Sequence, residues 1–218
     1  MKRNLSIVFI CALLGLLSFV SLAKNRQNPS LGTSKNTVSK EDLGKLQKKS
    51  DKLFDQAILG KEKVHVIGED GSERTYRIPD LPHDEEDYLS FYEVASRVDL
   101  DNDGITELII NGPYGGMYLD VRNGKVYELA SGEGTACELD YAVYKGITYI
   151  CHRDTTHMGR EIFEMNAFDG SGKVVNSTRL SAEYWDKEYL DYDATCHFGE
   201  KEISVSEFLK LRKEIFGY

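Results

Sequence analysis

Tight-turn signals recur between short segments of alternating apolar and polar residues, from residue 63 to about residue 185. The clearest signal is Asn123-Gly124, because this pair supplies the positive φ angles that a type I′ hairpin turn requires. The turn predicts a register in which Val121 faces Val126, with Leu119 on the same face of the sheet as Val121. The sequence therefore predicts that this part of the chain is built from β-hairpins.

Three further turn signals predict hairpins of the same kind: Asp70-Gly71, Lys145-Gly146 and the segment 169–172. Short strands at regular spacing, joined by polar turns, are typical of antiparallel β-proteins. We therefore expect a mainly β fold, an antiparallel meander that forms a curved sheet, a sandwich or a propeller-like arrangement.

Two amphipathic segments flank the predicted strands. The first begins at Ser39 and ends at Gly60, and the second begins at Ser204 or Ser206 and runs to Phe216. Serine at the start, apolar residues at helical spacing and glycine after the end are typical of helices. We expect an N-terminal and a C-terminal helix packed on the sheet, within a single domain spanning residues 39–218.

The first 23 residues have the pattern of a secretory signal. Lys2 and Arg3 precede an uncharged, mainly apolar run over residues 5–23, which closes with the small residue Ala23. Cleavage after Ala23 would place the protein outside the cytoplasmic membrane, secreted or in the cell envelope. The alternative is an uncleaved membrane anchor, because about twenty apolar residues span a bilayer. Residues 24–38 are polar and predict a flexible tether.

The charge balance narrows the range of partners. The chain has a net charge of -9, and removal of Lys2 and Arg3 with the signal would leave 25 basic and 36 acidic residues. Such an acidic chain disfavours nucleic acid as a partner, and a membrane is a partner only if the N-terminal segment stays uncleaved. We expect the partner to be an extracellular protein or a glycan.

Three cysteines remain after signal cleavage, so either one internal disulfide forms and one thiol stays free, or none of the three is bridged. If Lys145-Gly146 is a two-residue turn, Cys151 faces Asp140 and not Cys137, which disfavours a bridge between those two cysteines. A bridge from Cys196 to one of them is the alternative.

The segment 99–107, Asp-Leu-Asp-Asn-Asp-Gly-Ile-Thr-Glu, carries the clearest chemistry. Carboxylates stand at its first, third, fifth and ninth positions, and glycine at the sixth permits a sharp bend. A hard cation such as Ca²⁺ takes about six to eight oxygen ligands in flexible geometry. The pattern predicts a calcium site whose ligands are Asp99, Asp101, Asp103, the carbonyl of Ile105, and Glu107.

This loop differs from an EF-hand, which has a bidentate glutamate at position twelve and a helix on each side. Position twelve is Ile110, and both flanks have the pattern of strands. The loop resembles the calcium loops of FG-GAP and VCBS-type repeats of extracellular proteins. The resemblance covers about ten residues of 218. It implies calcium and the same ligand set, with Glu107 where those repeats usually have aspartate, and it implies no activity.

A second polar cluster contains His152, Asp154 and His157. On a strand the first two share a face, and His157 could return towards them across a turn to form an acid–base or transition-metal site. The alternative is a polar hairpin end. Aromatic residues in the segment 184–192 either form a sugar- or protein-binding surface or fill the core.

These patterns predict an exported, calcium-binding module with a binding or structural role and no enzymatic activity. One alternative is an extracellular hydrolase or metal-dependent enzyme that uses His152, Asp154 and His157. A further alternative is an inhibitor or immunity-type protein that acts by surface complementarity. The composition and motifs of the chain do not distinguish the first prediction from this last one.

Overall fold

The computed structural model describes residues 39–84, 86–184, 190 and 193–218, all of which belong to one compact unit, Val38–Tyr218. The predicted signal segment and tether lie outside the described residues, as does most of the aromatic segment 184–192. No helix among the described residues is long and apolar enough to cross a bilayer.

The described residues form two six-stranded sheets and two α-helices, which confirms the prediction of a mainly β fold. The first sheet has the strand order β2-β1-β6-β5-β4-β3. Its strands are β1 (Val64–Ile67), β2 (Glu73–Tyr76), β3 (Glu93–Val98), β4 (Glu107–Asn111), β5 (Met117–Arg122) and β6 (Lys125–Ser131).

The second sheet is an antiparallel meander with the order β12-β11-β10-β9-β8-β7. Its strands are β7 (Glu138–Tyr144), β8 (Ile147–Asp154), β9 (Arg160–Phe168), β10 (Val174–Glu183), β11 (Thr195–Phe198) and β12 (Lys201–Ile203). The hairpin of β11 and β12 lies beyond the region in which the sequence pattern predicted strands. Within the described part of the chain, neither sheet closes into a barrel.

The Asn123-Gly124 turn has φ angles of 52° and 76°, and Val121 pairs with Val126 as predicted. A register shift follows between Tyr118 and Leu119, so the pairing further along β5 and β6 departs from a regular ladder. The parallel pairing of β1 with β6 is a second departure from the expected antiparallel pattern. It joins segments about sixty residues apart, which turn signals cannot report.

Lys145 and Gly146 are the only two residues between β7 and β8. This two-residue turn pairs Cys151 with Asp140, as predicted. Cys137, Cys151 and Cys196 are all free thiols. The expected alternative, a bridge from Cys196 to one of the other two, is therefore not formed.

Both helices begin where the sequence predicts, α1 (Lys40–Ile58) after Ser39 and α2 (Val205–Phe216) after Ser204. Each serine accepts a hydrogen bond from a backbone N–H three residues on, at 3.1 Å in α1 and 3.2 Å in α2. Phe54 of α1 is fully buried in a cluster with residues of the first sheet, and Phe208 of α2 is fully buried in a cluster with residues of the second sheet.

A third buried cluster contains residues of both sheets. Ile109 and Tyr118 from the first sheet and Leu139 and Ile150 from the second join Leu100, which lies in the loop between β3 and β4. This loop is the acidic segment 99–107, so the fold places it at the contact between the sheets.

Candidate metal centre

The acidic loop joins β3, which ends at Val98, to β4, which begins at Glu107. This arrangement confirms the predicted strand–loop–strand setting. Leu100 and Ile105 are buried, so apolar side chains fix both halves of the loop in the core. Asn102 and Gly104 adopt left-handed backbone angles, with φ of 65° and 88°. These two residues curl the loop and turn its carboxylates towards a common centre.

Asp99, Asp101 and Glu107 converge. One oxygen from each lies within 4.8 Å of one oxygen from each of the others, and Asp101 and Glu107 are 1% and 2% exposed. Among the described residues this is the only group of three or more His, Cys, Asp or Glu side chains arranged in this way. Asp103, a fourth predicted carboxylate ligand, lies outside the group. Its Oδ1 accepts a hydrogen bond of 2.6 Å from the N–H of Ile105.

Backbone amides of the loop satisfy one oxygen of each converging carboxylate. Glu107 Oε2 accepts from the Leu100 N–H at 2.6 Å, and Asp99 Oδ2 accepts from the Gly104 N–H at 3.1 Å. Asp101 Oδ1 accepts from the amide two residues on, at 3.2 Å. Asp99 Oδ1 and Asp101 Oδ2 are buried and have no hydrogen-bond partner. Buried carboxylate oxygens without a donor are costly, so these two atoms call for a cation or a proton.

The electrostatics of the group show the same shortage of positive charge. Burial, together with the charges of the Asp103 and Asp120 carboxylates, raises the pKa of Asp101 to about 7. Burial also raises the pKa of Glu107 to about 9, with the charge of Asp101 as the next cause. Without a cation these groups bind protons near neutral pH, and a cation would displace those protons.

Asp120 on β5 is a site residue that the sequence analysis missed. It is 4% exposed, and burial raises its pKa to about 6 although Arg122 Nε lies 2.8 Å from its Oδ2 and lowers the pKa. Its charge in turn raises the pKa values of Asp101 and Glu107. The available signal was a single acid between Leu119 and Val121 in a predicted strand, on the face opposite to those two apolar residues.

Two reciprocal pairs of hydrogen bonds tie the loop to other elements. Asn102 Nδ2 donates to the Thr148 carbonyl of β8 at 3.0 Å, and the Thr148 N–H donates to Asn102 Oδ1 at 2.8 Å. The Thr106 N–H donates to Gln47 Oε1 of α1, and Gln47 Nε2 donates to Thr106 Oγ1, both at 2.9 Å. The loop is therefore fixed to the second sheet and to the helix that packs on the first.

The second predicted cluster is only partly assembled. His157 Nδ1 lies 2.6 Å from Asp154 Oδ1, and Arg160 Nε donates to Asp154 Oδ2 at 2.7 Å. Burial acts to raise the pKa of Asp154, but the hydrogen bonds from His157 and Arg160 outweigh it and lower the pKa. His152 lies apart from this pair in its bonding, with Nε2 3.2 Å from the Ser131 carbonyl.

Comparison of the chain with protein-family models, with curated proteins and with solved structures gives no match. The resemblance of residues 99–107 to FG-GAP and VCBS-type loops therefore stays a prediction. The donor atoms of the site and their geometry indicate which ligands it suits.

The donor set of the converging group is all oxygen. Carboxylate oxygens suit hard cations, whereas zinc and copper sites usually include histidine or cysteine. Two oxygens on opposite sides of a Ca²⁺ ion, each about 2.3 to 2.6 Å from it, are about 4.6 to 5.2 Å apart. The ligand oxygens of Asp99, Asp101 and Glu107 all lie within 4.8 Å of one another, so a single cation could contact all three.

Proposed function

We propose that this protein is an exported, calcium-binding module that acts outside the cytoplasmic membrane through binding or structure and not through catalysis. The observation that carries the calcium assignment is the pair of buried oxygens, Asp99 Oδ1 and Asp101 Oδ2, that lack any hydrogen-bond partner beside a third buried carboxylate. A cation bound between them coordinates both atoms at once and balances the negative charge of more than one carboxylate, whereas a proton shared between the two oxygens neutralises only one charge.

Calcium fits this site better than magnesium does. Mg²⁺ demands octahedral geometry at about 2.0 to 2.1 Å and retains several waters, whereas Ca²⁺ accepts irregular shells of protein oxygens. The loop offers carboxylates at 99, 101 and 107. In this proposal the Ile105 carbonyl and water complete the shell, and Asp103 contributes its charge.

The role of the ion in this proposal is that of a staple. We take the two sheets to face each other as a sandwich, with a helix covering each outer side and the loop at their contact. The loop hydrogen-bonds to Thr148 in β8 and to Gln47 in α1. An ion that fixes the loop therefore also fixes the position of the second sheet and of α1.

The test is a calorimetric titration of residues 24–218 with CaCl₂, after the protein has been freed of metal by a chelator. We expect one site with a Kd of about 10⁻⁴ to 10⁻³ M, the range of extracellular calcium modules. MgCl₂ should bind at least about tenfold more weakly, because its smaller shell cannot use the same loop. Absence of saturable calcium binding up to 20 mM, a concentration roughly twenty times the upper Kd, would refute the assignment.

Export is tested separately from the ion. If the signal is cleaved as proposed, mass spectrometry of the protein recovered outside the membrane gives an N-terminus at Lys24. A membrane-bound product that retains residues 1–23 supports the anchor alternative instead. Capture of extracellular proteins and glycans on immobilised residues 24–218, in calcium and in chelator, then tests the binding role.

A further inference from the structure

A cleft of about 540 Å³ opens between the β1–β2 hairpin, β6 and the second sheet. It exists because β1 and β6 pair in parallel over only two residue pairs, ending with His65 opposite Tyr127. Beyond that pair β1 continues to Ile67 without pairing with β6, while β6 continues to Ser131. None of the residues that line the cleft belongs to the acidic loop 99–107.

Part of the cleft lining is apolar. Leu129, Ala130 and Phe168 line it and are among the partly buried side chains that pack against the cluster between the sheets. The exposed side chain of Ile67, 53% accessible, also lines it. The volume lies within the range of about 300 to 1,000 Å³ that is typical of small-molecule sites, and polar groups make up the rest of the lining.

The charged groups of the cleft are mainly acidic. Glu69, Glu128 and Glu133 line it, against one arginine, Arg74. The Glu128 carboxylate is held in position, because Ser131 Oγ donates to its Oε1 at 2.8 Å and the Tyr76 hydroxyl donates to its Oε2 at 3.2 Å. A fixed carboxylate beside apolar side chains complements a ligand in which a positively charged group is attached to an apolar body.

His152, one of the predicted acid–base residues, also lines this cleft. Its Nε2 is 3.2 Å from the Ser131 carbonyl, so the ring is oriented by the same strand that carries Glu128. If Nε2 donates to that carbonyl, Nδ1 is an acceptor that a ligand ammonium group could use. His152 therefore lies in this cleft, where a ligand could contact it, and not in the Asp154–His157 pair.

We infer that this cleft binds a small organic cation, a ligand with an ammonium or guanidinium group attached to an apolar body. The apolar body lies on Leu129 and Phe168, and the cationic group lies near the Glu128 carboxylate. Arg74 repels the same group and limits the affinity. The site is independent of calcium binding, because it shares no residue with the metal centre.

The test uses 2-phenylethylammonium as the probe, with residues 24–218 in 5 mM CaCl₂ so that the state of the loop is constant. A titration monitored by protein NMR should show saturable chemical-shift changes. The expected Kd is on the order of 1 mM, which is ordinary for a ligand of this size. The neutral 2-phenylethanol and the anionic 3-phenylpropanoate should bind at least about fivefold more weakly, because they lack the charge. Equal binding of all three compounds, or no binding of the amine below 20 mM, would overturn the inference.

Charge variants test which residues recognise the cation. Glu128→Gln and Glu133→Gln should each weaken amine binding about threefold to tenfold, whereas Arg74→Gln should strengthen it by a similar factor. Glu200→Gln, in the exposed turn between β11 and β12, is the matched control and should have no effect. Because Glu133 is exposed, its variant keeps the test valid even if Glu128→Gln disturbs the fold. Weaker binding by Arg74→Gln would contradict the proposed charge preference.

A short peptide separates a small-molecule site from a site for a protein side chain. Acetyl-Ala-Lys-Ala-amide carries the ammonium group without an aromatic body, so it should bind more weakly than 2-phenylethylammonium. If the peptide binds more tightly than the amine, the cleft recognises a lysine side chain and the small-molecule assignment is wrong.

Discussion

The substitution Asp101→Asn should have opposite effects on the protein with and without calcium. Asparagine keeps the size and the acceptor oxygen of the side chain, but it removes one buried charge from the converging group. Wild-type Asp101 is 1% exposed and its pKa is about 7, so above pH 7 the calcium-free folded protein carries a charge that the site does not compensate.

The magnitudes follow from the pKa and from mass action. One pKa unit corresponds to about 1.4 kcal/mol, so a rise from 3.8 to about 7 means that ionised Asp101 costs the calcium-free fold at most about 4 kcal/mol. Calcium at 10 mM, with a Kd of about 10⁻⁴ to 10⁻³ M, stabilises the wild type by about 1.4 to 2.7 kcal/mol. For a domain of this size that gain raises the melting temperature by about 3 to 10 °C.

The assay is thermal unfolding of residues 24–218 at pH 8, in 10 mM CaCl₂ and in chelator. In chelator, Asp101→Asn should melt above the wild type, by at least about 1 kcal/mol of stability, because the uncompensated charge is gone. The stabilisation that calcium gives to Asp101→Asn should be less than about half of the stabilisation that it gives to the wild type, because one of three charged ligands is lost. The control is Asp70→Asn, in the exposed β1–β2 turn, where the carboxylate accepts a hydrogen bond from the Ser72 N–H at 2.9 Å.

Hydrogen bonds from Ser72 lower the pKa of Asp70, so its substitution should slightly destabilise the protein, equally with and without calcium. Two results would refute the reasoning on Asp101. A full calcium response in Asp101→Asn would exclude this residue as a ligand. A lower melting temperature than the wild type in chelator would show that the buried carboxylate stabilises the calcium-free fold.

Three further perturbations test the loop and the fold around it. In chelator, stability should fall as the pH rises from 5 through about 7 and 9. The cause is that folded Asp101 and Glu107 still bind protons in this range, whereas the unfolded chain, with carboxyl pKa values near 4, has already released them. A melting temperature that stays constant from pH 5 to 9 would contradict this. Asn102→Gly keeps the left-handed backbone but removes two hydrogen bonds to β8, so urea unfolding should show a loss of about 1 to 3 kcal/mol, while Asn123→Gly, in a turn with φ of 52°, should change little. Gly115→Ala places a Cβ 2.0 Å from the carbonyl oxygen of Leu139, at a φ of 92°. We therefore expect a loss of more than about 3 kcal/mol of stability in the same assay. A loss below about 1 kcal/mol would show that the backbones at Gly115 and Leu139 move apart easily.

The features that the sequence predicts well are local ones. Ser39 and Ser204 cap helices because their hydroxyls reach backbone amides three residues away, and Asn123-Gly124 forms a turn because of its own φ preferences. Such signals depend only on neighbouring residues. The parallel pairing of β1 with β6 depends on contacts across the whole first sheet, and no single turn encodes it.

The candidate metal centre shows the same limit. Spacing predicted four carboxylates around one centre, yet Asp103 uses its Oδ1 to bond the Ile105 N–H and lies outside the converging group. The spacing of acids also does not report the left-handed backbone angles of Asn102 and Gly104, on either side of Asp103. Asp120 of β5 influences the pKa values of Asp101 and Glu107 from a strand that pairs with β4, and that pairing is a property of the sheet.

The position of the acidic loop gives a physical reason for a calcium staple there. Among the described residues, the clusters beneath α1 and α2 contain nine and thirteen buried side chains, whereas the cluster that joins the sheets contains five, one of them Leu100 from the loop itself. Apolar burial therefore contributes least where the two sheets meet. Hydrogen bonds from Asn102 and Gln47 supplement it, but they act through a loop whose converging carboxylates repel one another when they are ionised. A divalent cation would remove the repulsion within that loop. It would thereby stabilise the contact between the two sheets, where hydrophobic packing contributes the least stability.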